Sequence, residues 1–399
     1  LTVTDDNGLS ATAKKDLTIL DPAKAINVMW QKEMGGPIES TVSPALSADG
    51  KTVYMITDQT STGAFDVKLY AYDTENGTQK WAFDVTANMN ELNPGGGASM
   101  VYASPAVGPN GDVYIVVRDL KPATTEHPRA LFLFAIGSNG SRKWAYKAAD
   151  SNLYAVTPAI DASGNIYFGH RGKKLIVLSP AGDVVKEIAL DVEVLSGMSL
   201  SKDGTVYFGS SKNTGYFGYD FATGTQKFVY QKDLGGTALK GNSYTVGTIY
   251  TIAELTSGGA IIALNPDGTE KWVYKTPGAI VNGGVVIGTD GTLYANGGNT
   301  VAGEASAGVF ALNSDGSLKW HYATTEDVSN CVPIIDNRGY IHIISDKAIY
   351  YIVKQDGSLL ASAELGVKCT SSPVMDSRGY LYIGIEAVAG ASDMVCISS

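Results

Sequence analysis

The chain has 399 residues, of which 44% are hydrophobic and 18% are charged, and it contains 46 glycines. The apolar content excludes a disordered chain, and the glycine content argues against a helix-rich protein because glycine is costly inside helices. The net charge of −10 argues against nucleic-acid binding, and no apolar run reaches the roughly 18 residues that a transmembrane helix needs, so we expect no transmembrane segment.

The first twenty residues have a pattern of their own. Leu1–Leu9 and Ala11–Ile19 predict two strands joined across an Asp-Asn-Gly turn. This segment resembles the last two strands of a PKD-like domain, which is an immunoglobulin-type β-sandwich. The resemblance implies that residues 1–21 are the C-terminal strands of an upstream sandwich plus a linker, and that residues 22–399 form a second domain. Such sandwiches are common spacers on extracellular bacterial proteins.

A turn glycine followed closely by an aromatic residue or histidine recurs through the second domain. The spacing is three residues in seven of the eight cases, and most of the glycines follow turn-forming residues. Successive glycines lie 40 to 61 residues apart, and a period in the forties is typical of four short antiparallel strands per repeat. The eight pairs are Gly50–Tyr54, Gly111–Tyr114, Gly164–Tyr167, Gly204–Tyr207, Gly247–Tyr250, Gly291–Tyr294, Gly339–His342 and Gly379–Tyr382.

A second turn glycine lies inside seven of the repeats, and four residues later comes one shared position, which we call the docking position. Its occupants are Trp81, Trp144, Lys186, Phe228, Trp272, Trp320 and Ala361. The fifth tryptophan, Trp30, precedes the first repeat, whereas the C-terminus offers one strand too few. We therefore predict an all-β, eight-bladed antiparallel propeller whose last blade is closed by the N-terminal strand around Trp30, which removes an exposed strand edge.

The segment Ala71–Trp81 resembles the tryptophan-docking repeat of the pyrroloquinoline-quinone (PQQ)-like β-propellers, with looser copies at Ala135–Trp144, Ala263–Trp272 and Ala311–Trp320. This family includes quinoprotein alcohol dehydrogenases and the non-catalytic propeller lipoprotein of the outer-membrane β-barrel assembly machine. The resemblance covers residues 26–399 and implies that the tryptophan rings stack between adjacent blades. The implied docking residues are Trp30, Trp81, Trp144, Trp272 and Trp320.

The cysteines and histidines argue against cofactor chemistry. Quinoprotein dehydrogenases carry two adjacent cysteines over the quinone, whereas Cys331, Cys369 and Cys396 are all separated, so we expect no PQQ. The four histidines come from four different repeats, and we expect no metal site. Cys331 and Cys369 lie at nearly equivalent positions of neighbouring repeats, and a bond between them is left open.

The loops that enter the innermost strands collect on one face of a propeller, together with the loops between second and third strands. Each entry loop carries a polar or aromatic residue, and four residue types occur among the eight loops, a variety that fits a shaped binding funnel and equally an unselected solvent-facing rim. The candidates are Glu39, Tyr102, Tyr154, Glu193, Lys240, Asn282, Asn330 and Lys368. We add Arg118, in a long second-to-third-strand loop, and His170 and Arg171, in a short basic loop.

These observations favour a non-catalytic binding or scaffolding module of the bacterial cell surface or periplasm, with a glycan or a protein partner bound at the propeller face. The alternatives are a polysaccharide hydrolase or lyase at the central funnel and, third, a PQQ-dependent oxidoreductase. A glycan binder should expose aromatic rings on one face, and a glycosidase should show two carboxyl groups about 5 to 10 Å apart in a pocket. A scaffold should instead expose an apolar patch.

Overall fold

The fold is built from antiparallel hairpins that form eight sheets, arranged as the blades of a propeller. The computed structural model describes residues 2–4, 10–12, 26–38, 42–58, 67–94, 99–100, 103–119, 130–149, 156–210, 215–234, 236–245, 247–256, 258–278, 280, 284–298, 307–366, 368–369, 371–386 and 392–398. The predicted all-β, eight-bladed antiparallel architecture is confirmed.

The first four blades follow one another along the chain, each running from an inner to an outer strand. Blade 1 consists of β4 (Ala45–Leu46), β5 (Thr52–Ile56), β6 (Lys68–Asp73) and β7 (Gln79–Asp84). Blade 2 consists of β8 (Ser99–Met100), β9 (Ala106–Val107), β10 (Val113–Asp119), β11 (Ala130–Ile136) and β12 (Arg142–Ala149). Blade 3 consists of β13 (Ala159–Ile160), β14 (Ile166–His170), β15 (Lys174–Leu178) and β16 (Val184–Ala189). Blade 4 consists of β17 (Ser199–Leu200), β18 (Thr205–Gly209), β19 (Tyr216–Asp220) and β20 (Thr225–Tyr230).

The next three blades repeat this order, and the last blade combines both ends of the domain. Blade 5 consists of β21 (Gly236–Thr245), β22 (Thr248–Leu255), β23 (Gly258–Leu264) and β24 (Glu270–Thr276). Blade 6 consists of β25 (Val285–Ile287), β26 (Leu293–Gly297), β27 (Gly308–Leu312) and β28 (Leu318–Ala323). Blade 7 consists of β29 (Ile334–Ile335), β30 (Ile341–Ile344), β31 (Ile349–Val353) and β32 (Leu359–Glu364). Blade 8 consists of β33 (Val374–Met375), β34 (Leu381–Glu386), β35 (Ser392–Ser398) and β3 (Asn27–Met34).

The ring closes as the sequence predicts. The N-terminal strand β3 pairs antiparallel with β35, and Trp30 lies opposite Cys396 in that register. The first and last strands of the domain thus share one sheet, so unfolding of either end breaks a complete blade. Closure of this kind pairs a strand edge that would otherwise be exposed.

The core lies between the blades. Every residue of β11 is buried, and so is every residue of β10, because a central strand has a neighbouring blade on each face. Outer strands alternate, as in β20, where Phe228 and Tyr230 are buried between exposed positions. The continuous apolar runs of the central strands follow from this burial on both faces.

Both predicted sets of turn glycines adopt positive φ. At Gly111 the φ angle is 79°, and the amide donates to the Gly108 carbonyl at 2.9 Å, which closes the turn between β9 and β10. A side chain at such a φ angle is strained, so the glycines are required by backbone conformation. The same range of φ, from 68° to 92°, holds at Gly50, Gly77, Gly140, Gly164, Gly182, Gly204, Gly224, Gly247, Gly268, Gly291, Gly316, Gly339, Gly357 and Gly379.

Each tryptophan contacts the turn glycine of the following blade. A Cβ atom added to Gly140 would lie 2.8 Å from the Trp81 ring, and Trp81 Nε1 donates to the Ser138 carbonyl at 2.8 Å. The ring-on-glycine contact recurs at the other four tryptophans. The indole N–H donates to the carbonyl two residues before the glycine at Trp144, Trp272 and Trp320, and to the carbonyl three residues before it at Trp30. These rings and glycines are Trp30 with Gly77, Trp144 with Gly182, Trp272 with Gly316, and Trp320 with Gly357.

Two features lie outside the repeat. At the N-terminus β1 (Thr2–Thr4) pairs antiparallel with β2 (Ser10–Thr12), and their assignment to a PKD-like sandwich stays a prediction. The helix α1 (Val85–Leu92), which the sequence analysis did not predict, follows blade 1 and is capped by the Asp84 carboxylate, which accepts from the Ala87 amide at 2.8 Å. Among the described residues, no helix has the length and apolarity needed to cross a membrane.

Candidate functional site

The face that carries the strand-entry loops, called here the entry face, brings two predicted residues together. Arg171 follows β14 in blade 3, and Glu193 lies in the loop that enters blade 4. Their Nε and Oε2 atoms are 3.9 Å apart, and both side chains are about one-third exposed, at 35% and 34%. This ion pair joins two adjacent blades at the rim.

Two predicted loop positions are wrong because the strands extend further than the repeat period suggests. Arg118 belongs to β10, in register with Leu131, and its side chain is buried. His170 is the last residue of β14 and is 2% exposed, and its Nδ1 accepts from the Gly172 amide at 2.9 Å. Neither side chain therefore belongs to the open rim on which the sequence analysis placed it.

Two further candidates lie in the loops that enter blades 7 and 8. Asn330 is half-buried and Lys368 is exposed, and they directly precede Cys331 and Cys369. Both thiols donate to one atom, the Ser371 carbonyl oxygen, at 3.3 and 3.4 Å. The remaining candidates, Glu39, Tyr102, Tyr154 and Asn282, lie outside the described residues, as does the side chain of Lys240, whose backbone belongs to β21.

The opposite face, called here the turn face, holds a cavity that the sequence analysis missed. It has a volume of about 510 Å³ and lies where the inner strands of blades 1, 7 and 8 end. Its apolar wall is formed by Leu46, Ile334, Ile335, Pro373, Val374 and Met375. Its polar rim is formed by Asp336, Asn337, Asp376, Ser377 and Gly379. No local motif indicates this cavity, because its wall comes from three blades.

The Asp336 carboxylate, at the rim of the cavity, interacts with three neighbouring groups. The Asp336 carboxylate accepts from Arg338 Nε at 2.7 Å and from the Tyr340 amide at 2.9 Å, and it lies 3.3 Å from His342 Nε2. Burial alone would raise the pKa of Asp336, but these three groups outweigh burial and lower that pKa below its ordinary value. His342 is fully buried and bonded through Nδ1 to the Tyr350 hydroxyl.

The second acid repeats the arrangement in blade 8. Asp376 accepts from Arg378 Nη2 at 2.6 Å and from the Tyr382 hydroxyl at 2.9 Å, and the Arg378 guanidinium lies 4.6 Å from the Tyr380 ring centre. Both carboxylates are 2% exposed. Carboxylates held in this way organise the turns. The lowered pKa of Asp336 makes that carboxylate better suited to recognition than to proton transfer, which needs an acid or base with a pKa near the working pH.

The exposed apolar side chains bear on whether the ligand is a glycan or a protein. In the described part of the chain, the large hydrophobic residues that are well exposed are all aliphatic or methionine, so no exposed aromatic platform for sugar rings is found there. They are Val28, Met29, Val184, Val185, Val229, Leu318 and Leu359. Within the same residues, no group of three or more potential metal-ligating side chains occurs.

Comparisons with known proteins agree with this architecture. The profile of a family described as outer membrane protein assembly factor BamB matches residues 135–279 and 191–364, which together span more than half of the chain. No curated protein sequence matches the chain significantly.

Three solved structures show the same fold. The crystal structure of BamB from Moraxella catarrhalis has a TM-score of 0.63 and 13% identity, over 93% of this chain and 97% of that chain. A europium-containing methanol dehydrogenase has a TM-score of 0.67 and 11% identity, over 94% and 93% of the two chains. The Dos1 propeller also has a TM-score of 0.67 and 11% identity, over 93% and 94%. At these identities the likeness shows the fold alone.

Proposed function

The chain belongs to the outer membrane protein assembly factor BamB family, and from that premise we propose that it is a non-catalytic, extracytoplasmic scaffolding module that binds a protein partner at a face of the propeller. The family description names outer-membrane protein assembly, which supports a bacterial envelope location and a partner from an assembly apparatus.

The observation that carries the proposal is the turn-face cavity. An aliphatic wall surrounded by polar groups is the usual anatomy of a protein–protein contact, in which an apolar side chain is buried inside a hydrated rim. Sugar rings instead stack on aromatic side chains, and among the described residues no aromatic side chain lines this cavity. We therefore favour a protein segment with an apolar residue as the ligand, rather than a glycan.

The entry face is the second proposed contact area. The Arg171–Glu193 pair and Lys368 offer charges of both signs on this face, and Asn330 adds a neutral polar group. Pairs of this kind at a rim set orientation and association rate more than affinity. The residues near the N-terminus fit this proposal as the end of a PKD-like spacer that holds the propeller away from its attachment point.

Site-specific photo-crosslinking tests the location of the contact. A photoreactive amino acid is placed at Ser377, which is exposed on the cavity rim, in the protein expressed in its native envelope. The matched control is Ser317, an exposed serine in the outer turn of blade 6 on the same face. We expect one discrete crosslinked protein from position 377 and none from position 317.

Two further measurements test the role of the entry face and distinguish a protein ligand from a glycan. Replacement of Arg171 and Glu193 by alanine should slow association with the crosslinked partner and leave its dissociation rate nearly unchanged. A glycan array probed with the full chain should stay blank. Equal crosslinking from both serines, or a bound glycan with no crosslinked protein, would contradict the proposal.

A further inference from the structure

The two cysteines at the entries of blades 7 and 8 have a geometry that packing alone does not require. Cys331 and Cys369 are each 1% exposed, and the loops that carry them enter β29 and β33. Because both thiols donate to the same Ser371 carbonyl oxygen, the two sulfur atoms lie within a few ångströms of each other. The Cys369 thiol is also the main cause, followed by burial, of the raised pKa of Cys331.

The backbone holds both residues in this position. The Cys369 amide donates to the Asp346 carbonyl at 3.0 Å, and the Cys331 carbonyl accepts from Asn296 Nδ2 at 2.9 Å. One residue further along, the Val332 amide donates to Ser372 Oγ at 2.9 Å, which joins the two entry loops directly. Two loops from different blades are thus aligned beside each other with a thiol at the point of closest approach.

We propose that Cys331 and Cys369 are a disulfide-forming pair that, when oxidised, links blade 7 to the closing blade 8. The proposal does not depend on the ligand of the propeller. The third cysteine differs, because Cys396 lies in β35 opposite Trp30 and contacts the Tyr382 side chain in the middle of blade 8. It therefore serves as an internal control.

The chemistry is a thiol–disulfide exchange with a small disulfide such as glutathione disulfide. The thiolate of one cysteine attacks the oxidant and releases one glutathione, and the thiolate of the second cysteine then attacks the mixed disulfide and releases the other. Two protein thiols become one disulfide, and one oxidant disulfide becomes two thiols. The neighbouring Cys369 thiol and burial disfavour the Cys331 thiolate in the folded state, so we place the reaction before blades 7 and 8 pack, in an oxidising compartment.

The experiment compares the full chain refolded in glutathione redox buffer with the same chain refolded in reductant. Free thiols are trapped under denaturing conditions with a maleimide, and proteolytic peptides are identified by mass spectrometry. We expect three labelled cysteines in the reduced sample and one, Cys396, in the oxidised sample, with a linked peptide that contains Cys331 and Cys369. Because the link restricts the unfolded chain, the melting temperature should rise by several degrees.

Three cysteine-to-serine variants test which residues form the link. Cys396→Ser should retain both the link and the rise in melting temperature, whereas Cys331→Ser and Cys369→Ser should lose both. If a serine variant fails to fold, the wild-type peptide masses still decide the question. Three labelled cysteines after oxidative refolding, separate glutathione adducts on each cysteine, or a link that includes Cys396 would overturn the proposal.

Discussion

The contact between blades 1 and 2 and the contact between blades 3 and 4 achieve the same docking with different residues. In the first, the Trp81 ring covers Gly140 and its N–H reaches the Ser138 carbonyl. In the second, Lys186 stands at the docking position, and its Nζ donates to the carbonyls of Phe221 and Ala222 at 2.8 and 2.6 Å.

Blade 3 has no tryptophan at the docking position, and the aromatic ring of this contact comes from Phe221 of blade 4. The Phe221 ring lies 5.0 Å from the Tyr167 ring, in an edge-on arrangement, and Lys186 Nζ lies 5.4 Å from the Phe221 ring centre. In blade 1 the corresponding tyrosine, Tyr54, contacts Trp81 instead, at 5.7 Å. In blade 1, Trp81 supplies both the hydrogen-bond donor and the aromatic ring of the contact. Between blades 3 and 4 these two roles are divided between Lys186 and Phe221, which come from different blades.

The residue paired with the docking position on the neighbouring strand is small where the docking side chain is large. The small Ala71 lies opposite Trp81, whereas the larger Val177 lies opposite Lys186. In blade 7 the docking position holds Ala361, and Ile352 lies opposite it. Blade 8 has no turn at the point that Ala361 faces, because β35 and β3 are the two ends of the domain, so no ring is needed there.

Removal of the docking side chain should show the largest difference between the two contacts. Trp81→Ala deletes a ring packed against the next blade, and we expect a loss of about 3 kcal/mol in the free energy of unfolding. Lys186→Ala loses partly solvated hydrogen bonds and should cost about 1 kcal/mol. Urea denaturation followed by circular dichroism measures both, and equal losses would show that the ring has no special role.

The turn glycines offer a second matched pair. Gly140→Ala and Gly224→Ala meet the same penalty for positive φ, but a Cβ atom lies 2.8 Å from the Trp81 ring in the first and no closer than 3.6 Å to Lys186 in the second. We expect Gly140→Ala to cost about 2 kcal/mol more, because of overpacking. Thermal denaturation of both variants checks this difference, which should disappear when Trp81→Ala is added.

The residues opposite the docking position give a smaller contrast. Ala71→Val adds two methyl groups against the Trp81 ring and should destabilise the protein by about 1 to 2 kcal/mol. Ile352→Val removes one methyl group opposite Ala361 and should cost about 0.5 to 1 kcal/mol. If Ala71→Val proved neutral in the same denaturation assay, the volume argument for this position would be wrong.

The smallest expected effect depends on pH and concerns two stacked rings within blade 6. His321 follows Trp320 and stacks on Phe310 at 4.2 Å, and burial lowers its pKa below 6.5, partly opposed by a hydrogen bond with the Ala307 backbone. Below about pH 6.5 the unfolded chain binds a proton that the folded chain binds less readily, so stability falls as pH falls.

Because His321 is only partly buried, the effect should stay below about 1 kcal/mol. Melting temperatures between pH 7 and pH 5 should therefore decrease slightly more in the wild type than in His321→Phe. Parallel pH profiles for the two proteins would contradict this prediction.

Much of the scaffold was predictable from local spacing, whereas little of the candidate site was. The turn glycines and the docking tryptophans recur at fixed intervals, so the blade count and the pairing of Trp30 with the C-terminal strand could be derived in advance. The positions of Arg118 and His170 could not, because hairpin length varies from blade to blade. The helix α1 was missed because a single short helix interrupts an otherwise regular repeat.

The repeat, the strand order and the closure of the ring follow from the amino-acid sequence, since each depends on residues that are near one another in the chain or that repeat regularly. Which residues meet across blades depends on the tertiary fold. The turn-face cavity, the Phe221 ring that replaces a tryptophan beside Lys186, and the neighbouring thiols of Cys331 and Cys369 all join separate blades. Contacts of this kind depend on how neighbouring sheets pack against each other. The spacing of a sequence repeat does not give the distances between side chains of different blades.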